Sequence, residues 1–579
     1  MYFGVLGSLS LNISGKMKKR SEAILITLIL LVGILIVNAF VNRSTLAWDL
    51  TEDKRYSLSD STEEVINSIE DPVYVRVLLS GTFPAGFERL EEATRSLLQQ
   101  YRSINSDVNF EFEDPTDGSI EELKSRYENL KEIGVLPTNL VVQDNGQMTE
   151  RLIFPYALIS SGKRKTVVNL LKAQGAGESE DMTLNKSISL LEYKFADQLY
   201  KLTRAEKPNI VLLEGRGELP PQQTAVLEQT LQTNYDIGRI SLDSIYSLST
   251  EIDLLIVARP SQEYSPKDQL IIDQYVMNGG NIIWLVEKYE ANVFSIDTSE
   301  SAVPREIVHN LDDLFFDYGV RYKANLLLDL QCSKVPQVVA MQGGKPQTEM
   351  FPWFYHPIIT GSSNHPTTNN VSDINLTFPS EIEILEREGI TSEVVLATSP
   401  STFYQVYPMS LSFDVVRLGE DPSKFNRGNK AVAVLSEGQF DSHFKNRLNQ
   451  EQQETLKQLG TPFKAKSVGS KQLWISDAYL ISNLYNPANN RISPIGFNQW
   501  EQKLYSGNQE YILNSIDYMV DEINVMEARN KDVKLRLLNR AKVINEKTQW
   551  QVINMVLPLL LLTIFGLIFN YLRRRKYAK

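Results

Sequence analysis

The feature that most constrains this chain is its last apolar run, from Trp550 to Leu572. It contains no Asp, Glu, Lys or Arg, and its centre reads Val556-Leu557-Pro558-Leu559-Leu560-Leu561-Leu562. Lipid offers no partners for backbone polar groups, so a crossing segment must bond internally, and a helix needs roughly twenty apolar residues to do it. Trp550 stands at the near end, where an interfacial indole belongs, and Arg573, Arg574, Arg575 and Lys576 follow the far end. A basic cluster just past an apolar span marks the cytoplasmic side. Residues 550–572 therefore read as a transmembrane helix rather than a buried core helix, and residues 573–579 as a cytoplasmic tail.

A second run mirrors the first. Ala23 to Val41 is uncharged, with Leu28 and Leu31 inside it, and Lys16, Lys18, Lys19 and Arg20 precede it. A secretory signal peptide has the same layout. However, this core is longer than the usual 7–15 residues or so, and no A-x-A-like site follows it. Residues 21–42 read as an uncleaved anchor and residues 1–20 as a cytoplasmic N-terminus. Met17-Lys18-Lys19-Arg20 has the form of a bacterial start, which makes residues 1–16 an expected upstream extension. Two anchors imply an in–out–in path with residues 43–549 outside.

Charge follows the same division. Residues 1–20 carry +4 and residues 573–579 carry +5 within a net charge of −12, which leaves −21 on the rest. An acidic exterior argues against nucleic acid and against adsorption to anionic lipid. Cys332 is the single cysteine, so no disulfide framework exists and packed cores must supply stability. His309, His356, His365 and His443 have no metal-ligand spacing, and no H-E-x-x-H, C-x-x-C, EF-hand or P-loop pattern is present. The chain does not bind ATP through a P-loop of its own.

Periodicity divides the exterior in two. Val73 to Leu79 reads as a strand, Phe87 to Tyr101 as a helix and Val108 to Phe112 as a second strand ending at Asp114-Pro115. That βαβ pattern resembles the start of a thioredoxin-like domain without its redox cysteines, and the domain is expected over residues 43–206. Leu140 to Ile153 should form a hairpin around Asn145-Gly146, with Lys163 to Leu171 extending its sheet. Pro208 marks the boundary. In residues 207–520, the apolar strands at Asn209–Leu213, Ile252–Val257 and Ile282–Val286 alternate with helices, which implies a parallel sheet covered on both faces. Residues 331–373, rich in Pro, Asn, Thr, Ser and Gly, read as a long irregular insertion. The cluster Trp353-Phe354-Tyr355 in it is either a partner-binding loop or a small core. Phe440 to Phe463 reads as polar and loose, and residues 521–549 as a charged membrane-proximal linker.

Candidate chemistry is sparse. Gly215-Arg216-Gly217-Glu218 lies between a strand and a helix, where parallel sheets bind ligands, but a tight turn needing glycine is the preferred reading of so short a motif. Asp114 and Asp477 stand at strand ends, as catalytic acids or as caps. Cys332 lacks the strained turn of a nucleophile.

Several of these stretches together resemble one family. Asp49-Leu50-Thr51, Tyr56-Ser57-Leu58-Ser59, Asp114-Pro115, Gly215-x-Gly217-Glu218, Gly279-Gly280 and Ile475-Ser476-Asp477 are similar to landmarks of the auxiliary membrane proteins encoded with ABC-2-type transporters. Many relatives have His at the position of Arg216 and Gly at that of Ser476. Leu136 to Leu140, Thr149 to Tyr156 and Gly177 to Thr183 resemble, more narrowly, the GldG-like gliding-motility proteins of Bacteroidota. The resemblance implies a periplasmic subunit of the inner membrane that works with an ABC permease and an ATPase, the ATPase binding the nucleotide. It also implies a glutamine-amidotransferase-like, flavodoxin-like middle domain. That enzyme fold needs a Cys nucleophile and a His partner, and neither residues 214–222 nor the turn after Val257 supplies them. The expectation is a membrane-anchored α/β protein with no cofactor and no enzymatic activity, which binds or gates a substrate over the permease. Leu28, Leu31, Trp550, Pro558 and Leu560 are the expected lipid or permease contacts, with Arg573, Arg574 and Arg575 as the basic stop. The alternatives are an envelope hydrolase using Glu218 or Asp477, and a periplasmic scaffold or sensor.

Overall fold

Ser59 caps the helix that begins at Asp60, and its side chain accepts from the Thr62 amide. The computed structural model describes residues 57–81, 83–144, 147–172, 179–291, 301–360, 365–413, 421–458, 460–488, 490–521, 523–530 and 540–577, with 28, 29 and 31–33. The expectations for Asp49, Leu50, Thr51, Tyr56, Asn145, Gly146 and most of residues 21–42 lie outside these. Leu28 and Leu31 fall inside, helical and exposed.

The N-terminal region comprises α1 (Asp60–Asn67), β1 (Val73–Val77), α2 (Ala85–Ile104), β2 (Val108–Phe112), α3 (Ile120–Glu132), β3 (Thr138–Asp144), β4 (Gln147–Ile153), β5 (Tyr156–Ser161), β6 (Arg164–Asn169), α4 (Glu180–Ser189) and α5 (Leu191–Thr203). Its four-stranded sheet runs β2-β1-β5-β6, with β1 parallel to β2 and antiparallel to β5. Val73, Val75 and Val77 point to one face and are buried. There they meet Leu90, Leu97 and Leu98 of α2 and Phe195 and Leu199 of α5 in one core. Period two in the strand and 3.6 in the helices produce these faces. Tyr74 and Arg76 emerge on the opposite face, along an open cleft of about 1150 Å³. The expected extension of the β3–β4 hairpin by residues 163–171 is corrected. The β3–β4 pair stands alone, and β6 pairs with β5.

The larger region adds β7 (Asn209–Glu214), α6 (Pro221–Leu231), β8 (Asp236–Ser241), β9 (Leu254–Ala258), α7 (Pro266–Met277), β10 (Asn281–Leu285), β11 (Asn325–Asp329), β12 (Cys332–Gln342), β13 (Lys345–Ile359), β14 (Ile374–Asn375), β15 (Ile390–Ala397), β16 (Thr402–Val406), β17 (Ala431–Gly438), β18 (Ser470–Ile475) and α8 (Gly507–Val520), among shorter pieces. Seven strands form a sheet in the order β15-β17-β18-β10-β9-β7-β8. From β18 to β8 all neighbours are parallel, while β17 runs against β18 and β15. β9 is buried at every position, as a strand covered on both faces must be. α7 starts at a capping box in which Ser265 and Asp268 satisfy each other's amides, with Pro266 at its first position.

Most of the insertion expected to be irregular, residues 332–359, is regular. β12 and β13 form one long antiparallel hairpin with Gln342 opposite Lys345. Gly343 and Gly344 turn it with φ of 59° and 80°, the left-handed pair a two-residue turn requires. Pro336, Pro346, Pro352 and Pro357 obscured the strands in the sequence. Beyond the short β13–β14 pairing at Ile358 and Ile359, the arm is two-stranded and each strand has an open edge, where proline's missing N–H is tolerated. Trp353 and Tyr355 are fully buried beside Leu326, Val335 and Phe425, so the aromatic cluster is core and not an exposed loop. The loose segment expected at 440–463 contains a helix, Gln450–Gln458, and buries Phe440.

The linker expected at 521–549 is also corrected. Val525, Met526 and Ala528 are buried in the core of the N-terminal sheet, so the chain returns to that region after α8. The Arg529 side chain stays with this junction. It donates to Asn514 Oδ1 (2.6 Å) and Asn369 O (2.9 Å) and lies 4.8 Å over the Tyr193 ring.

The terminal helix, α9 (Arg540–Tyr577), forms a unit of its own. Its 30-residue stretch Glu546–Arg575 has a mean hydropathy of 2.6, and it alone among the described residues is long and apolar enough to cross a membrane. Trp550, Leu560 and the residues between are exposed. At 1.5 Å per residue, the uncharged Trp550–Leu572 span is about 35 Å long, against about 30 Å of hydrocarbon.

Candidate functional site

The carboxyl ends of the parallel strands gather the polar residues of the larger region. The βα turns leave from this edge, and open parallel sheets bind ligands there. β7 ends at Gly215-Arg216-Gly217-Glu218, β9 at Arg259, β10 at Glu287 and β18 at Asp477.

The glycine motif is a joint whose polar groups are already used. Arg216 pairs with Asp243 (2.7 Å) and Asp268 (3.0 Å), which ties the ends of β7, β8 and the start of α7 together. Its backbone amide donates to Glu218 Oε2 at 2.6 Å, and Tyr264 donates its hydroxyl to Glu218 Oε1. Gly217 has φ of 79°, and a Cβ there would lie 2.2 Å from Ser261 Oγ. The turn needs glycine for space and for conformation.

Asp477 is fully buried. Its carboxylate accepts from the Thr377 amide (2.6 Å), the Thr377 hydroxyl (3.2 Å) and the Tyr479 amide (2.8 Å). It anchors the segment after β14 to the sheet edge, which is the work of a cap. Burial nevertheless raises its pKa. Asp114 caps its own turn through Thr116, and Pro115 is buried beneath it. Ser59 donates its amide and hydroxyl to Glu192 Oε1 at 2.7 and 2.9 Å, fastening α1 to α5. Leu58 packs on the same core, while Ser57 precedes it at the surface of this joint. The structure thus scatters the predicted residues. None of them lines the cavity described next, although the charge of Asp477 acts on Glu287 at its floor.

That cavity has a volume of about 340 Å³. Its floor is the sheet edge at Glu287 and the turn at Tyr479. Its walls come from His356 at the base of the long hairpin, Phe378 after β14, and Asn498 and Trp500 before α8. Two of these side chains are more than nine-tenths buried and still have a polar atom with no hydrogen-bond partner, Glu287 Oε1 and His356 Nε2. Buried polar atoms are almost always paired, so each such atom calls for an explanation. Arg259 lies beside them, its Nε 3.8 Å from Glu287 Oε2 and likewise unpartnered. Burial and then the charge of Asp477 push the Glu287 carboxyl up to about 8. Burial alone pulls His356 down to about 3, so its ring is neutral. Arg259 and Phe378 both hold positive φ, 60° and 48°, in a region that bulky residues avoid and that clusters at ligand sites.

Sequence reasoning missed Glu287, His356 and Arg259. Glu287 carried the signal that singled out Asp477, an acid directly after a buried apolar strand. His356 carried none, because its partners arrive through the hairpin and two distant loops. Cys332 lies outside the cavity lining, and burial pushes its thiol up to about 12, away from a reactive thiolate. Among the described residues, no group of three His, Cys, Asp or Glu is placed to hold a metal. The larger cleft on the N-terminal sheet is an open groove, and none of the described residues that line it has a buried polar side-chain atom lacking a partner.

Comparison with known proteins places these regions. A family model described as ABC-type uncharacterized transport system, the auxiliary component, matches residues 207–515, just over half of the chain. A second, described as a domain of unknown function (DUF7088), matches residues 52–160. An uncharacterized protein of Borreliella burgdorferi is 22% identical over 575 residues, spanning 96% of this chain and 99% of that one. Among solved structures, the mmIFT52 N-terminal domain aligns over 54% of this chain and 97% of its own, with 12% identity and a TM-score of 0.29. An exo-β-1,4-mannosidase, Op5Man5 from Opitutaceae bacterium strain TAV5, aligns over 58% of this chain and 39% of its own, with 7% identity and a TM-score of 0.21. Both scores are too low to bear on fold or site.

Proposed function

The chain belongs to the ABC-type transport auxiliary family, and from that membership we propose that it is a non-enzymatic subunit built into an ABC transporter of the inner membrane. An accessory role in ABC-type transport is what the family carries. The further reading is that residues 21–42 and α9 both cross the membrane, leaving both termini cytoplasmic and the two sheet regions periplasmic. Leu28, Leu31, Trp550, Pro558 and Leu560 would then pack on a permease or on lipid. Arg573, Arg574 and Arg575 would fix the cytoplasmic end, and a separate ATPase subunit would bind the nucleotide. A role in gliding motility, and the thioredoxin-like and amidotransferase-like descriptions of the two regions, belong to the same proposal. The βαβ start of the first sheet and the parallel core of the second support those descriptions.

One observation carries the reading: an α/β body of this family is followed by a helix with a 23-residue uncharged span and a basic end. A subunit held against a permease needs such a helix. The carboxylates offered for a hydrolase, Glu218 and Asp477, are both engaged in fixed hydrogen bonds. The test is co-purification. The tagged full chain, extracted from its own membranes in mild detergent, should bring down a polytopic permease and a P-loop ATPase. The same chain ending at residue 539 should lose the permease. If the full chain purifies without either protein, the proposal fails.

A further inference from the structure

We propose that the cavity at the carboxyl edge of the larger sheet is a binding site for an uncharged sugar unit, held between Trp500 and Phe378 and hydrogen-bonded by Glu287 and His356.

The ligand class follows from what the cavity lacks and what it offers. Glu287 and His356 both line this space, and each has a deeply buried polar atom without a hydrogen-bond partner. Leaving such atoms unpaired costs free energy, so a group that pairs with them is favoured. An anion is disfavoured, because the Glu287 carboxyl stands at the floor with the charge of Asp477 near it, and no cationic side chain lines the cavity. A cation is disfavoured by the Arg259 guanidinium, 3.8 Å from Glu287. A hydroxyl escapes both penalties. It donates to one atom and accepts from another, and it matches a neutral imidazole and a carboxyl that burial holds toward its protonated form.

The walls favour a ring that carries several hydroxyls over a simple alcohol. Aromatic faces at Phe378, Trp500 and Tyr479 can cover the C–H face of a pyranose while amides take its edge. Asn375 and Asn498 are already locked together, with Asn498 Nδ2 donating to Asn375 Oδ1 at 3.1 Å, and Asn508 fixes Asn375 through a 2.9 Å bond to its carbonyl. The amide wall is therefore set before a ligand arrives, which reduces the ordering cost of binding. A cavity of about 340 Å³ is at the small-ligand end of the usual range.

Binding does not require the transporter partners, so it can be tested on the purified full chain. The detergent should be a sugar-free amine oxide. The probes are the methyl glycosides of glucose, galactose, mannose and N-acetylglucosamine, and β-1,4-linked disaccharides of glucose and N-acetylglucosamine, with putrescine and inorganic phosphate as charged comparators. Saturation-transfer NMR should show transfer to the C–H protons of at least one sugar, with a dissociation constant of about 1 mM or tighter. Trp500→Ala and Glu287→Leu should each weaken that binding about tenfold. Trp500→Phe should restore most of it, because a ring face remains. Melting curves check that the variants fold. Trp500 is only half-buried, so its variants keep the test sharp if Glu287→Leu does not fold. The proposal is overturned if no sugar shows transfer, if putrescine or phosphate binds in preference, or if folded Trp500→Ala binds as the natural chain does.

Discussion

Replacing Lys201 with Met should loosen the junction between the two sheet regions. Lys201 on α5 is buried, and its Nζ lies 2.9 Å from Asp197 and 2.8 Å from Asp517 on α8. Tyr235 donates its hydroxyl to the other oxygen of Asp517. One cation thus neutralises two carboxylates, with about a tenth of each side chain exposed. Methionine keeps the length of the side chain but leaves the two acids facing each other. Breaking a buried pair by removing one partner costs about 3–5 kcal/mol, because the surviving charge is neither solvated nor paired. For a region of this size, that corresponds to a melting temperature lower by about 10 °C. The sign of the pH effect follows from the cause. Burial raises Asp197 to about 6, Lys201 lowers it and Asp517 raises it. Without Lys201, the folded-state value rises further. A carboxyl with a raised folded value contributes stability that is present below its unfolded value of about 3.9 and lost as pH rises through the folded value. The deficit of Lys201→Met should therefore be larger at pH 8 than at pH 5. Adding Asp197→Asn and Asp517→Asn removes the stranded charges, keeps an acceptor for Tyr235, and should recover most of the loss. Scanning fluorimetry of the full chain at the two pH values measures all of this. A change under about 2 °C, or an equal loss at both pH values, would refute the reasoning.

Three further outcomes are expected. Glu287→Gln should flatten the pH dependence of melting. The Glu287 carboxyl stabilises the fold below its unfolded value of about 4.3, and that contribution is lost as pH rises through about 8, so the variant should gain on the natural chain above pH 8 and not below pH 4. Gly438→Ala should lower the melting temperature, since the new Cβ would lie 2.1 Å from the Gly389 carbonyl at a φ of +140°, at a strained-conformation cost of about 1–3 kcal/mol; an unchanged melting curve would contradict the placement of β15 on β17. Ser59→Ala should cost about 1 kcal/mol through the lost cap, read as faster amide exchange in α1, and most of that cost should persist when Glu192 has been replaced first, because the cap accepts from the Thr62 amide and not from Glu192.

Much of the local structure was legible because local structure depends on local period. Val73, Val75 and Val77 alternate in sequence and alternate in space. Leu90, Leu97 and Leu98 fall on one helical face because 3.6 residues make a turn. Pro266 starts α7 as a proline at the first helical position should. The same reading failed where proline was taken for irregularity. In β12 and β13, it instead marks strands whose outer edges have no ladder to complete along most of their length. It failed again at Val525–Ala528, where a few apolar residues in a charged stretch proved to be core. Nothing in their spacing says that the chain doubles back to a sheet it left at Arg204.

The sequence by itself determined the apolar span at 550–572, the parallel character of the larger sheet and the absence of nucleophile and P-loop motifs. These are properties of composition and period, which a chain carries before it folds. Only the tertiary structure decided where chemistry could occur. It spent the conspicuous residues, Arg216, Glu218 and Asp477, on holding turns together. It brought Glu287, His356, Phe378 and Trp500, from four separate segments, around one cavity. Convergence of that kind is set by crossovers and by a hairpin folding back over a strand edge. No short window of sequence contains both sides of such a contact.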